Sequence, residues 1–137
     1  MASEEARIVY ADTSGLYAML DAGDGRHQEA ASIVRSLLSA GALLVTTNYV
    51  VTELTALVQN RLGLEVALQV HRGLLPALEV VFVDRALHER AVAAWTVARR
   101  RGMSLADCAG FELMRDLGLV TALAFDQHFA EQGFALP

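Results

Sequence analysis

The 137 residues include no lysine, so all 11 basic side chains are arginines. This excludes Schiff-base catalysis by a lysine amine and a phosphate loop ending in Gly-Lys-Ser/Thr. Cysteine is nearly as scarce, and Cys108, alone in the chain, cannot close an internal disulfide. No pair of histidines or cysteines has zinc-site spacing, and no Gly-x-Ser-x-Gly elbow occurs. Long apolar runs are also missing. Despite a mean hydropathy of +0.35, the stretches Ala91 to Trp95, Val80 to Val83 and Leu119 to Phe125 fall far short of the ~20 residues a bilayer requires. The start, Met1 to Arg7, has neither the basic opening nor the apolar run of a secretory signal, so a reduced, cytoplasmic protein is expected. Basic charge is in deficit too, 11 against 16 acidic residues for a net charge of −5. Phosphate neutralisation drives nucleic-acid affinity, so any such binding must rest on a local arginine patch.

What is present is a globular composition, 54% hydrophobic and 20% charged, at a length that predicts one domain spanning residues 1–137. Short β-rich runs alternate with amphipathic stretches. Strands are expected at Arg7 to Ala11, Ala42 to Thr47, Glu79 to Val83 and Val120 to Phe125, with a small edge strand at Gly133 to Leu136. Helices are expected through Leu16 to Leu20, Ala30 to Leu38 (ended by Gly41), Val51 to Leu62 and Leu64 to Leu75. Further helices should carry the stripe Leu87, Ala91, Ala94, Trp95 and Ala98, run from Ser104 to Gly118, and cover Gln127 to Gln132. This alternation predicts an α/β fold with a parallel sheet covered on both faces by helices. Polar chemistry in such folds gathers beyond the carboxyl ends of the strands.

The residues at those ends are acidic. Asp12 follows the first strand, Glu53 lies in the first turns after the second, Asp107 sits near the start of the helix after Gly102, and Asp126 follows the last long strand. Four hard oxygen donors without histidine or cysteine suit Mg²⁺ or Mn²⁺, and these ions bridge to substrate phosphates. Each residue also has a structural reading. Asp12 and Asp126 are placed to cap helices, as is Asp84, which is assigned that role alone. Asp107 completes Ser104-x-x-Asp107, a capping box, yet shares a helix face with Phe111 and Met114 that turns it inward. Glu53 lies on a mostly apolar segment with no lysine to pair with, and a metal would supply the missing charge. Arg99, Arg100 and Arg101 read either as a favourable helix C-terminus or as substrate contacts. His128 and Cys108 read as structural.

Four blocks together resemble the PIN-domain nucleases, particularly the VapC-like toxins of bacterial toxin–antitoxin pairs. They are Val9-Tyr10-Ala11-Asp12-Thr13-Ser14-Gly15-Leu16, Thr46-Thr47-Asn48-Tyr49-Val50-Val51-Thr52-Glu53-Leu54, Ser104-Leu105-Ala106-Asp107-Cys108, and Ala124-Phe125-Asp126-Gln127-His128-Phe129 followed by Gly133-Phe134. The resemblance implies a three-layer α/β/α sandwich with a mostly parallel sheet. It implies a Mg²⁺ or Mn²⁺ site built from Asp12, Glu53, Asp107 and Asp126, with Thr13, Ser14 and Ser104 orienting carboxylates or water. The implied activity is metal-assisted hydrolysis of RNA. The implied partners are an RNA substrate, a cognate antitoxin and a second copy in a homodimer. Two other readings stand beside it: a non-catalytic protein-binding module whose acidic residues are helix caps, and a metal nuclease acting on DNA.

Overall fold

The computed structural model describes residues 7–137, so the leader-free reading of the first six residues lies outside it. The elements run β1 (Ile8–Ala11), α1 (Thr13–Leu20), α2 (His27–Ser39), β2 (Leu43–Thr47), α3 (Asn48–Leu62), α4 (Leu64–Gln69), β3 (Glu79–Val81), α5 (Arg85–Ala98), α6 (Leu105–Leu117), β4 (Ala122–Leu123) and α7 (Gln127–Glu131). The four strands form one parallel sheet in the order β3-β2-β1-β4. Succession runs outward from β1 through β2 to β3, then crosses back so that β4 lies on the other side of β1. Such a reversal leaves a crevice at the strand carboxyl ends, and Asp12 follows the central strand directly at that point.

Sheet residues Val9, Tyr10, Ala11, Leu44, Val45, Ala122 and Leu123 are buried, as expected for a parallel sheet covered by helices. Helix α1 packs against β4 and α3, and α6 packs against β2 and α5. Tyr10 stacks on Phe129, whose ring meets Phe111 edge-on at 4.7 Å. An exposed bidentate pair, Arg90 to Asp116 at 2.9 and 2.6 Å, ties α5 to α6.

The departures from expectation have local causes. β4 is two residues rather than six: past it Phe125 N–H donates to Ser14 Oγ instead of to a strand, and before it Thr121 makes only an isolated bridge to Ala135. β3 stops at Val81 for a similar reason, since Val83 N–H donates to the Asn48 side chain. The expected edge strand at Gly133 to Leu136 reduces to a single bridge between Thr121 and Ala135. The helix expected to reach Leu75 widens into a π turn over Val70–Leu74 and then tightens into a 3₁₀ turn over Leu75–Ala77. Pro76 cannot donate to an α ladder and its ring collides with the preceding turn. Trp95 leaves the buried stripe of α5, lying one position past Ala94, and is 45% exposed. Gly118 closes α6 in the left-handed conformation, whereas α5 is closed in that conformation by Arg99 (φ 48°).

Candidate active site

The end of β1 is fixed on three sides. Thr46 Oγ1 on β2 donates to the Ala11 carbonyl at 2.7 Å, and Asp12 N–H donates to the Leu123 carbonyl at 3.0 Å. Asp12 Oδ2 accepts from Ser14 Oγ at 2.9 Å and from Ser14 N–H at 3.3 Å, which makes Asp12 the N-cap of α1. Ser14 Oγ in turn accepts from Phe125 N–H at 2.9 Å. One hydroxyl thus links the carboxylate after β1 to the backbone just before Asp126. Asp126 caps α7, its Oδ1 accepting from His128 N–H at 3.0 Å. Asp107 closes the capping box of α6: its Oδ2 accepts from Ser104 N–H and its own N–H donates to Ser104 Oγ, both at 3.0 Å.

All three aspartates are therefore caps, and all three also converge. One oxygen from each of Asp12, Asp107 and Asp126 lies within 4.8 Å of the others. Asp84 caps α5 through Leu87 N–H at 2.8 Å and is not part of this group. Asp12 is 1% exposed and Asp107 7%. Burial raises the pKa of Asp12 well above the ordinary carboxylate range, and Asp107 and Asp126 raise it further. Burial also raises Asp107, with Asp126 adding to the effect. The Oδ1 atom of Asp12 is buried with no hydrogen-bond partner among the described residues. Native structures rarely leave such an atom unsatisfied, and a cluster of carboxylate oxygens with one orphan is the donor set that a hard divalent cation fits.

Glu53 stands apart. It is exposed on α3 and outside the group of three oxygens. Its position in the helix turns it to the rim, where partial desolvation and then the facing charges of Asp107 and Asp126 raise its pKa. Of the expected orienting residues, Ser14 bonds a carboxylate directly. Ser104 acts on Asp107 through backbone amides. Thr13 Oγ1 is buried without a partner among the described residues. The Tyr10 hydroxyl beneath is likewise unpartnered, and burial with Asp12 nearby raises its pKa, keeping it protonated.

The arginine triplet occupies another place. Arg99, Arg100 and Arg101 line a shallow cleft with Trp95 and Thr96 that includes none of the four acidic residues, and Arg100 is paired with Glu131. His128 has a partner that the sequence does not reveal: its Nε2 bonds the Gly102 carbonyl at 2.9 Å, pinning the turn after α5 to α7. Cys108 is buried, and burial pushes its thiol up to about 11, as suits a structural residue. A second cleft, about 330 Å³, adjoins Asp126 and Ser14 and carries Arg26 and Arg61. Nothing in the sequence marks these two arginines, which lie 35 positions apart with no motif between them.

Three comparisons bear on this arrangement. The PIN domain family matches residues 9–135. The 23S rRNA-specific endonuclease VapC20 of Mycobacterium tuberculosis, in two strains, is 32% identical over 130 residues, covering 93% of this chain and 95% of that protein. The crystal structure of M. tuberculosis VapC20, described as a sarcin-ricin loop cleaving toxin, superposes with a TM-score of 0.83 at 30% identity over 93% of this chain and 96% of that one. DNA-bound VapBC from Salmonella typhimurium shares the fold at 17% identity, with a TM-score of 0.64 over 97% of this chain and 98% of that one.

Proposed function

We propose, from the premise that this chain belongs to the PIN-domain family, that it is a metal-dependent endoribonuclease and the toxin of a toxin–antitoxin pair. The observation that carries the reading is the convergence of Asp12, Asp107 and Asp126 with one buried oxygen unpartnered among the described residues. Asp12, Asp107 and Asp126 would hold Mg²⁺ or Mn²⁺, and Glu53 at the rim is the fourth acidic residue of the site. When bound, the ion supplies the positive charge that lowers the pKa of an attacking water and stabilises the leaving oxygen of a phosphodiester.

The chain's own groups do the rest. Ser14 holds Asp12 in one rotamer and keeps it in register with the Asp126 turn. The Ser104 box fixes Asp107 on the first turn of α6. Glu53, at the exposed rim with its pKa raised by partial desolvation and then by Asp107 and Asp126, would take a proton from water approaching from solvent. The attack needs no ribose 2′-hydroxyl, so products carry a 5′-phosphate and preference for RNA arises in binding. Pure helix capping explains one oxygen of each aspartate but not why three caps share a space 4.8 Å across.

The VapC20 relative acts on 23S rRNA by name, which favours a structured RNA loop as the substrate here. The proposal extends to one domain over residues 1–137 working in the cytoplasm; among the described residues no helix is long and apolar enough to cross a membrane. It also extends to an antitoxin partner and a homodimer, which the strongly exposed Phe82 and Val97 favour. The test is cleavage of an RNA hairpin by purified protein with Mg²⁺ or Mn²⁺, followed by end-group analysis. Cyclic phosphate termini would contradict the mechanism.

A further inference from the structure

The cleft beside Asp126 has a construction that the acidic site lacks. Arg26, at the start of α2, lies with its guanidinium carbon 5.4 Å from the centre of the Phe125 ring. Arg61, in the last turn of α3, lies 5.3 Å over the Tyr17 ring. Both arginines, both rings, Ser14 and Asp126 line the same recess. An arginine held over an aromatic ring has already lost part of its freedom, so less is lost when its N–H donors meet a phosphate. Acidic side chains lie close by: Asp24 is part of the lining and Asp21 is near Arg61. Asp21 accepts from the Tyr17 hydroxyl at 2.6 Å and from Gly23 N–H, Asp24 accepts from Arg26 N–H at 2.8 Å, and Glu29 meets Arg26 Nη1 at 3.1 Å in an exposed pair. Such an exposed pair is weak and yields readily to a phosphate.

On a chain of net charge −5, two platform-mounted cations beside a carboxylate cluster form a localised anion seat. We infer that this recess holds the RNA nucleotide adjoining the scissile bond, with Arg26 and Arg61 gripping its phosphate. This assignment rests on the nuclease reading and makes these two arginines, in preference to the triplet Arg99 to Arg101, the source of substrate affinity. A volume of about 330 Å³ lies at the lower end of the range of small-ligand pockets, fitting one nucleotide rather than a duplex. A single strand or an opened loop is therefore the form bound.

The test uses the full chain and a fluorescein-labelled RNA hairpin with an unpaired loop. Affinity is read by anisotropy in EDTA across a salt series, and Mn²⁺ binding is measured separately by calorimetry. Arg26→Gln and Arg61→Gln should each weaken RNA binding about tenfold, as expected for loss of a charge-assisted contact. Each should also flatten the slope of log affinity against log salt by about 0.7. Mn²⁺ affinity and melting temperature should stay at wild-type values, and Arg35→Gln, on exposed α2 surface, should change nothing. Undiminished RNA affinity in a variant carrying both Arg26→Gln and Arg61→Gln overturns the recess assignment while leaving the metal site standing. Absence of RNA binding by the wild-type chain overturns the recess and the nuclease reading together.

Discussion

Removing the Ser14 hydroxyl probes the join between the two halves of the site. Ser14→Ala deletes the donor to Asp12 Oδ2 and the acceptor of Phe125 N–H, both at 2.9 Å. A lost hydrogen bond costs about 1 kcal/mol and a half-buried amide left without its acceptor a further 1–3 kcal/mol, against roughly 0.5 kcal/mol regained from alanine's helix preference. The net loss is about 2 kcal/mol. With unfolding entropy near 2.1 cal/mol/K per residue, a chain of 137 residues then melts about 7 °C lower. Freed of its anchor, Asp12 samples other rotamers, so Mn²⁺ affinity should fall about 10- to 100-fold, as when other groups that orient metal ligands are removed. Scanning calorimetry in EDTA and Mn²⁺ titration give the two readouts, with Ser36→Ala on the exposed face of α2 as control. A melting point within about 2 °C of wild type, together with unchanged Mn²⁺ affinity, would refute the reasoning.

Asp12→Asn should stabilise the metal-free protein in a pH-dependent way. The folded pKa of Asp12 lies above its unfolded value, so between the two the folded state binds more protons and stability falls as pH rises. The variant's advantage in melting temperature should be absent below the ordinary aspartate pKa of about 4 and grow above it; an advantage independent of pH would contradict the coupling. Gly15→Ala places a methyl carbon 2.4 Å from the Leu123 carbonyl oxygen, the acceptor of Asp12 N–H, and should cost about 1–3 kcal/mol by chemical denaturation, whereas Gly25→Ala meets nothing within 4 Å and should be near neutral. Arg99→Gly relieves the left-handed residue that ends α5 and should raise stability by up to about 1 kcal/mol with cleavage unchanged; a fall in denaturation midpoint would show that the arginine side chain matters more than its backbone.

The fold is legible because its signals are local. Buried strands β1 and β2 read as apolar runs, Ser104 and Gly118 bracket α6, and the acidic residues fall where the strands end. What escaped the sequence depends on hydrogen bonds between distant positions. Past β4 an amide is claimed by a serine 111 residues earlier, and past β3 one is claimed by Asn48. His128, which looked partnerless, finds a carbonyl 26 residues away.

In the site, capping and convergence looked like competing explanations for Asp12, Asp107 and Asp126. The geometry makes them compatible: each aspartate takes part in a helix cap and also brings an oxygen within 4.8 Å of the other two, and in Asp12 the capping oxygen Oδ2 leaves Oδ1 unpartnered among the described residues. Asp84 shows that the cap signal alone cannot tell the two apart. Glu53 was read from its apolar neighbours on α3, and it sits at the exposed rim within electrostatic reach of Asp107 and Asp126. The Arg26 and Arg61 platforms were invisible because each guanidinium is defined by an aromatic ring supplied by another element.

The central claim is that the aspartate cluster works by holding a divalent cation for RNA hydrolysis. Its most direct test is a Mn²⁺ titration of chelator-stripped protein, with cleavage of an RNA hairpin followed for the wild type and for Asp12→Asn. The account predicts no cleavage at the outset, a saturable rise for the wild type and none for the variant. Full activity in excess EDTA, or the same Mn²⁺ dependence in both proteins, would contradict it.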